Sequence, residues 1–447
     1  MNGFLLAVVA TAAVLGFMIL IHEFGHYITA KMFGVRVEVF SIGFGTRLLG
    51  WRKGDTDYRI SAIPLGGYVR MSGENPMEPR TGDPGEFLSH PRWQRFIIAI
   101  AGPFMNIFLA IALLTGVYMV SFSRPIWANK PALVGYVIKD SPAAKAGIQP
   151  GDTIVRIDDG QLNPTWQQVI PRMVLSPNQP VRIEFRRGDQ TLTKTIVPEP
   201  TGPDEYGSAG FVPDQPNFVT SLEHGLPADK AGVKLGDKII AVDNTAVRSV
   251  PAIIQILQDN KGKPAIFTVL RGGKQLNLTI KPELVSVPGE DEPRWRIGIS
   301  CEPEEVTQLS FPAAISQSWQ DNKKSSALIL ELVEKMVRRQ VSMRQMEGPI
   351  GIARASGEAA RQGLSPLLEL TAAISLNLGI FNLFPIPILD GGVILMLLIE
   401  SLMGRDISLH VKERVYQMAF LFLVLFFVVV IYNDLVKTLP GLAQRLP

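Results

Sequence analysis

Residues 22–26 read His22-Glu23-Phe24-Gly25-His26, an HExxH pentapeptide at the end of an uncharged apolar run from Phe4 to Ile21. That placement constrains the chain more than any other feature. Two His at i and i+4 share one helix face, and the Glu beside the first can act as general base toward a metal-activated water. The apolar run is 18 residues long, enough to enter a bilayer as a helix. Ionisable groups at such depth are costly and mark function by default. A metal-hydrolase motif in a membrane helix points to hydrolysis within the membrane.

The bland alternative is a chance motif whose His are satisfied by packing. Only five His occur in the 447 residues, and two of them fall in this pentapeptide. His90, His224 and His410 stand alone in polar or mixed contexts and read as surface residues. The net charge of +3, with no basic stripe interleaved with aromatics, gives no support for nucleic-acid binding. Cys301 is the one cysteine, so no intrachain disulfide and no Cys-based zinc site can form; it reads as a packed residue. The N-terminus lacks a basic n-region and a small-residue cleavage site, so no cleavable signal peptide is expected.

The chain is expected to be a polytopic α-helical membrane protein with four transmembrane helices: 1–32 with HExxH, 95–121, 366–400 and 414–434. Ten Lys/Arg lie between Lys31 and Arg95, and Arg405, Lys412 and Arg414 lie between the last two spans. The positive-inside rule makes both loops cytoplasmic. Both termini and the long stretch from Ser121 to Pro366 then lie outside, with the active site toward the cytoplasmic side.

The third span supplies another candidate ligand. Asn382-Leu-Phe-Pro385-Ile-Pro387-Ile-Leu389-Asp390-Gly391-Gly392 breaks a membrane helix with two Pro and two Gly. Irregular backbone is tolerated there only where it lines a cavity or is buried in protein. The first and third spans run the same way, so His22, His26 and Asp390 can share one zinc and leave a fourth position for water. The alternative is a helix-end carboxylate in a cytoplasmic turn.

The outer segment contains a repeat. Ala143 to Asp158 recurs at an offset of 85 as Ala228 to Asp243, and Arg186-Arg-Gly188 matches Arg271-Gly-Gly273. Two tandem β-rich modules follow, at 126–212 and 213–303. Their shared A-G-[IV]-x-x-G-D-x-I-[IV] pattern resembles PDZ domains, which bind peptide ends by strand addition. Spacers that bind nothing remain the alternative. Residues 33–94 read as a cytoplasmic, membrane-associated β-rich loop with a β-hairpin-like element at Val35–Met71; a soluble surface loop is its alternative. Residues 311–345 read as an amphipathic helix region lying on the bilayer.

HEFGH in the first span, Ala101-Gly-Pro103-x-x-Asn106 in the second, the module pair, Gly348-Pro-Ile350 and Asn382-x-x-Pro-x-Pro-x-Leu-Asp390-Gly together resemble the bacterial site-2 proteases over nearly the whole chain. The resemblance implies a zinc metalloendopeptidase of the inner membrane that cuts the spans of single-span membrane proteins. One catalytic Zn²⁺ would be held by His22, His26 and Asp390, with Glu23 as catalytic base and Asn382 and Asn377 contacting the substrate strand. It also implies an anti-sigma factor, already clipped outside the membrane, as substrate in an envelope stress response. No motif position departs from the family pattern. A membrane scaffold with a degenerate metal site is disfavoured by the intact His22, Glu23, His26 and Asp390. A metal-dependent transporter is disfavoured because only one span is clearly broken and no inverted repeat appears.

Overall fold

A computed structural model describes residues 3–75, 81–160, 162–285, 293–301 and 304–438. They form two compact units. One comprises Met1–Ser121, Gln308–Val333 and Met346–Pro447; the other comprises Phe122–Thr307 and Glu334–Gln345.

In the first unit, four helices are long and apolar enough to cross a membrane: Gly3–Met32, Arg92–Val120, Leu364–Asn382 and Leu409–Thr438. The first buries a stripe at i+4 steps, Ala10, Val14, Met18, His22 and His26. The HExxH histidines therefore continue the face that packs inward. Phe4, Leu5, Val8, Val9 and Phe17 point outward instead, as a lipid-facing surface requires. The second helix buries Ala99, Gly102 and Ala110, small residues that let neighbouring backbones approach closely.

The third of these helices ends at a break. Helix Leu364–Asn382 stops, and a new helix, Asp390–Met403, begins at the proposed ligand. Pro385 and Pro387 remove two backbone donors from the break. Three of its other amides find local partners: Phe384 donates to Phe381 O, Ile386 to Phe384 O and Leu389 to Ile386 O. Cβ atoms at Gly391 and Gly392 would overlap the backbone of Leu383–Phe384 and Ile386–Pro387. The double glycine thus lets the break fold tightly over the start of the new helix.

The fourth helix extends past the expected 414–434 at both ends. Its buried Asp434 accepts hydrogen bonds from the amides of Gly348 (2.9 Å), Ile350 (2.8 Å) and Gly351 (3.3 Å). These belong to the first turn of helix Pro349–Gln362, whose leading N–H groups have no partner within the helix. Helix Phe311–Val337 lies within the expected 311–345, and Ser318 Oγ donates to Ile111 O of the second helix at 2.8 Å.

Between the first two spans, strands Val37–Lys53 and Thr56–Met71 form an antiparallel hairpin with several register shifts. Its base is buried: Val37 and Met71 pack with Ala30, Phe87 and Ile98. Farther out it exposes Leu48, Leu49, Trp51, Ile60 and Ile63, a larger run of apolar surface than a water-facing hairpin normally shows.

In the second unit the sequence repeat is a structural repeat. Helix Pro142–Lys145, strand Thr153–Ile157, helix Trp166–Val174 and strands Val181–Arg187 and Gln190–Ile196 recur in order. The counterparts are Pro227–Lys230, Lys238–Val242, Val250–Asn260, Ala265–Arg271 and Lys274–Ile280. Each module has its own core, around Ile154, Trp166 and Phe185 in the first and Ile239, Phe267 and Cys301 in the second. Residues 302 and 303, the expected end of the second module, lie outside the described residues. Both modules share one ion pair: Arg187 clamps buried Asp152 and Arg271 clamps buried Asp237, each Arg also donating to a glycine carbonyl. Strand Phe122–Pro125 pairs antiparallel with Glu304–Thr307, closing the two ends of the insertion on each other.

Candidate metal centre

His22 Nε2 and His26 Nε2 lie 3.2 Å apart. Asp390 Oδ2 is 3.2 Å from His22 Nε2, and Asp390 Oδ1 is 3.4 Å from His26 Nε2. Among the described residues these are the only His, Cys, Asp and Glu side chains grouped closely enough to hold a metal ion. Their separations test the fit. A tetrahedral zinc with ligand bonds of about 2.0–2.1 Å has edges of about 3.3–3.4 Å between ligand atoms. The His–His separation is close to that edge, the Asp390 carboxylate turns Oδ2 to one ring and Oδ1 to the other at similar distances, and the donor set of two imidazoles and one carboxylate suits zinc.

The second helix builds the wall behind the histidines. His26 Nδ1–H donates to Ile98 O at 2.8 Å, which leaves Nε2 facing Asp390. Asn106 Nδ2 lies 3.1 Å from His22 Nδ1. Gly102 lies against both rings: a Cβ there would overlap His26 Nε2 and come within 2.7 Å of His26 Cε1 and 2.8 Å of His22 Cε1. On the first helix, a Cβ at Gly25 would fall within 2.8 Å of the Ala101 carbonyl carbon. Glycine at both positions lets the helices approach until the imidazoles meet backbone. In sequence, Ala101-Gly-Pro103-x-x-Asn106 carries the family resemblance but assigns no role to any of its members.

Glu23 points elsewhere on the same helix. Its Oε2 accepts a hydrogen bond from the Val69 amide of the hairpin at 2.9 Å. The carboxylate is thereby fixed between the metal helix and the hairpin. Glu23, Asn382 and the three candidate ligands line one cavity of about 400 Å³. The same cavity is also lined by the buried ion pair Glu400–Lys412 at 2.7 Å. Asn382, the last residue of its helix, is therefore brought to the site. Asn377 is not: it is exposed and outside the cavity lining. His224 and His410 are exposed and His90 is half-buried, all away from this cluster.

The family model of peptidase family M50 matches residues 10–426. The chain belongs to that family. This M50 peptidase is a zinc metalloprotease of the site-2 protease type, as its motifs imply. It is 34% identical to the "Regulator of sigma-E protease RseP" of Escherichia coli (strain K12), over 97% of this chain and 99% of the relative. It is 32% identical to "Protease RseP" of Yersinia pestis, over 97% and 99%. It is 30% identical to a "Putative zinc metalloprotease" of Neisseria meningitidis serogroup A, over 94% and 97%. The M50 peptidase thus matches these relatives over nearly their whole length, with both modules of the insertion included in that span.

Proposed function

We propose that this peptidase cleaves membrane-spanning segments, with His22, His26 and Asp390 holding one zinc and Glu23 as the base. The observation that carries the reading is the cluster of His22, His26 and Asp390 ligand atoms within one ion's reach, with Glu23 in the same cavity. Zinc, when bound, supplies a Lewis acid that acidifies water and polarises a carbonyl. Glu23 then takes the proton of the attacking water and passes it to the departing amide nitrogen. Its hydrogen bond from Val69 keeps the carboxylate on the cavity side.

A helical substrate hides its carbonyls in the i to i+4 ladder, so the cut segment must unwind. Freed N–H and C=O groups are costly in lipid unless paired. The hairpin supplies that pairing by strand addition, and the Asn382 amide holds one substrate backbone group. The apolar side chains exposed on the hairpin support its association with the bilayer. Water reaches the site through the polar end of the cavity, from the cytoplasmic side that the Lys/Arg distribution implies.

The protein is a multi-pass protein of a bacterial inner membrane, with both termini and the repeated modules outside. The names of its relatives support a substrate in a sigma-E response: an anti-sigma factor first trimmed outside the membrane. The modules are a PDZ pair that gates access against substrates with bulky outer domains. The test of the core reading is Glu23→Gln in purified protein. Zinc content should stay stoichiometric while cleavage of a membrane-spanning peptide disappears. Cleavage at the wild-type rate would remove Glu23 from the mechanism.

A further inference from the structure

Asn106 carries a contradiction within the metal centre. It is fully buried, and its Oδ1 has no hydrogen-bond partner among the described residues. Its other amide end, Nδ2, faces His22 Nδ1 at 3.1 Å. A donor in that place makes Nδ1 the acceptor, which puts the ring hydrogen on Nε2, the nitrogen that faces His26 and Asp390. A ring in that tautomer cannot bind a metal through Nε2. His26 has no such conflict, because the Ile98 carbonyl can only accept and so fixes the hydrogen on Nδ1.

The two ends of an amide have nearly the same shape, so a half-turn about its last bond exchanges them without disturbing the packing. Turned over, Oδ1 accepts from His22 Nδ1–H. The oxygen gains a partner while Nδ2 takes its former place, and Nε2 presents a bare lone pair to the cluster. The backbone at this position is pinned as well: Ser375 Oγ on the third span donates to Asn106 O at 2.9 Å, and both residues are fully buried. The side chain is thus anchored at the meeting of three spans, with one freedom, which end it turns to His22.

We propose that Asn106 is a positioning residue for zinc: its Oδ1 accepts from His22 Nδ1–H and selects the tautomer whose Nε2 binds the metal. The proposal rests on the reading that His22 is a zinc ligand. Outer partners of metal-bound His commonly change affinity by about 10–100-fold when removed.

The test measures zinc affinity of the full-length protein in detergent, by competition with a chromophoric chelator. Asn106→Leu keeps the shape and removes the acceptor; affinity should fall about 10–100-fold. Asn106→Asp keeps an acceptor oxygen and should restore affinity close to wild type. Should Asp prevent folding at that depth, the visible spectrum of the cobalt-loaded Leu variant decides, since altered ligand-field bands are expected. Wild-type affinity with an unaltered cobalt spectrum in the Leu variant would overturn the proposal, as would an Asp variant no tighter than Leu. His22→Ala is run alongside. If that variant binds zinc as tightly as wild type, the ligand assignment has failed and the role of Asn106 fails with it. Lost zinc in His22→Ala together with an unimpaired Leu variant refutes the positioning role alone.

Discussion

Gly102→Ala adds one methyl group, and it should cost the protein its metal before it costs the fold. The new Cβ would lie 2.7 Å from His26 Cε1 and 2.8 Å from His22 Cε1. Carbon atoms pack at about 3.5 Å or more, so the His22 ring must retreat by about 0.7 Å, and the His26 ring, whose Nε2 the methyl would overlap, by more. His26 cannot tilt away freely, because its Nδ1–H is held by Ile98 O on the same helix as the new methyl. Metal–ligand bonds tolerate about 0.2 Å. The displacement exceeds that several-fold, so zinc affinity should drop by more than the 10–100-fold expected for losing an outer hydrogen bond. Alanine is otherwise a good helix residue, better than Gly by about 0.8–1.0 kcal/mol, so the helix itself gains. The assay is zinc per mole of protein and cleavage of a membrane-spanning peptide, with protease resistance as the folding control. A folded Gly102→Ala protein that keeps wild-type zinc affinity would refute the claim that this glycine is there for the imidazoles.

Asp390→Ala should lower zinc content together with activity; full zinc with lost activity would demote Asp390 from ligand. In the second module, Arg271→Leu leaves buried Asp237 without its clamp, and amide hydrogen exchange of strand Lys238–Val242 should be faster in the variant. The Arg271 clamp holds the Asp237 carboxyl below its ordinary range. A depressed carboxylate stabilises above its unfolded value of about 3.9 and stops doing so as pH falls through the folded value. The Leu variant should therefore match wild type at strongly acidic pH and differ from it near neutrality; a pH-independent difference would exclude the ion pair as the cause. Replacing Leu133 to Cys301 by a flexible linker, with the strand pair at 122–125 and 304–307 kept, should leave zinc bound and broaden cleavage toward untrimmed substrates. Loss of cleavage of a trimmed substrate in that folded, zinc-loaded protein would favour docking over gating.

The parts of the site that act through their own side-chain chemistry could be read from the sequence. HExxH and the Leu389-Asp390-Gly run carry donors whose types and spacing are those of a metal site, and the structure brings them within one ion's reach. The second helix contributes differently. Ile98 acts through its backbone carbonyl, which any residue possesses. Gly102 acts through what it lacks, and that absence has meaning only beside the rings it admits. The Val69 amide on Glu23 is likewise a main-chain group. None of these has a compositional signal. The fold divides along the same line. Repeated modules and apolar spans show as periodicity, whereas Asp434 capping a helix 83–86 residues away shows only in space.

Asn377 and Asn382 fall between these cases, because helical geometry separates them without any structure. Each residue advances about 100° around an α-helix, so positions five apart differ by about 140°. Both lie in helix Leu364–Asn382. If Asn382 faces the metal, Asn377 must face away from it, and the two cannot hold one substrate strand unless the helix breaks between them. The helix is continuous to Asn382 and breaks only after it. The same arithmetic explains why Ser375 reaches the second helix: seven residues before Asn382, it returns to within about 20° of the same face. Ser375, Gly379 and Asn382 thus carry one inward stripe from the Asn106 carbonyl to the cavity. Of the two asparagines, Asn382 alone lies at the cavity end of that stripe, where the chain turns into the break that presents Asp390.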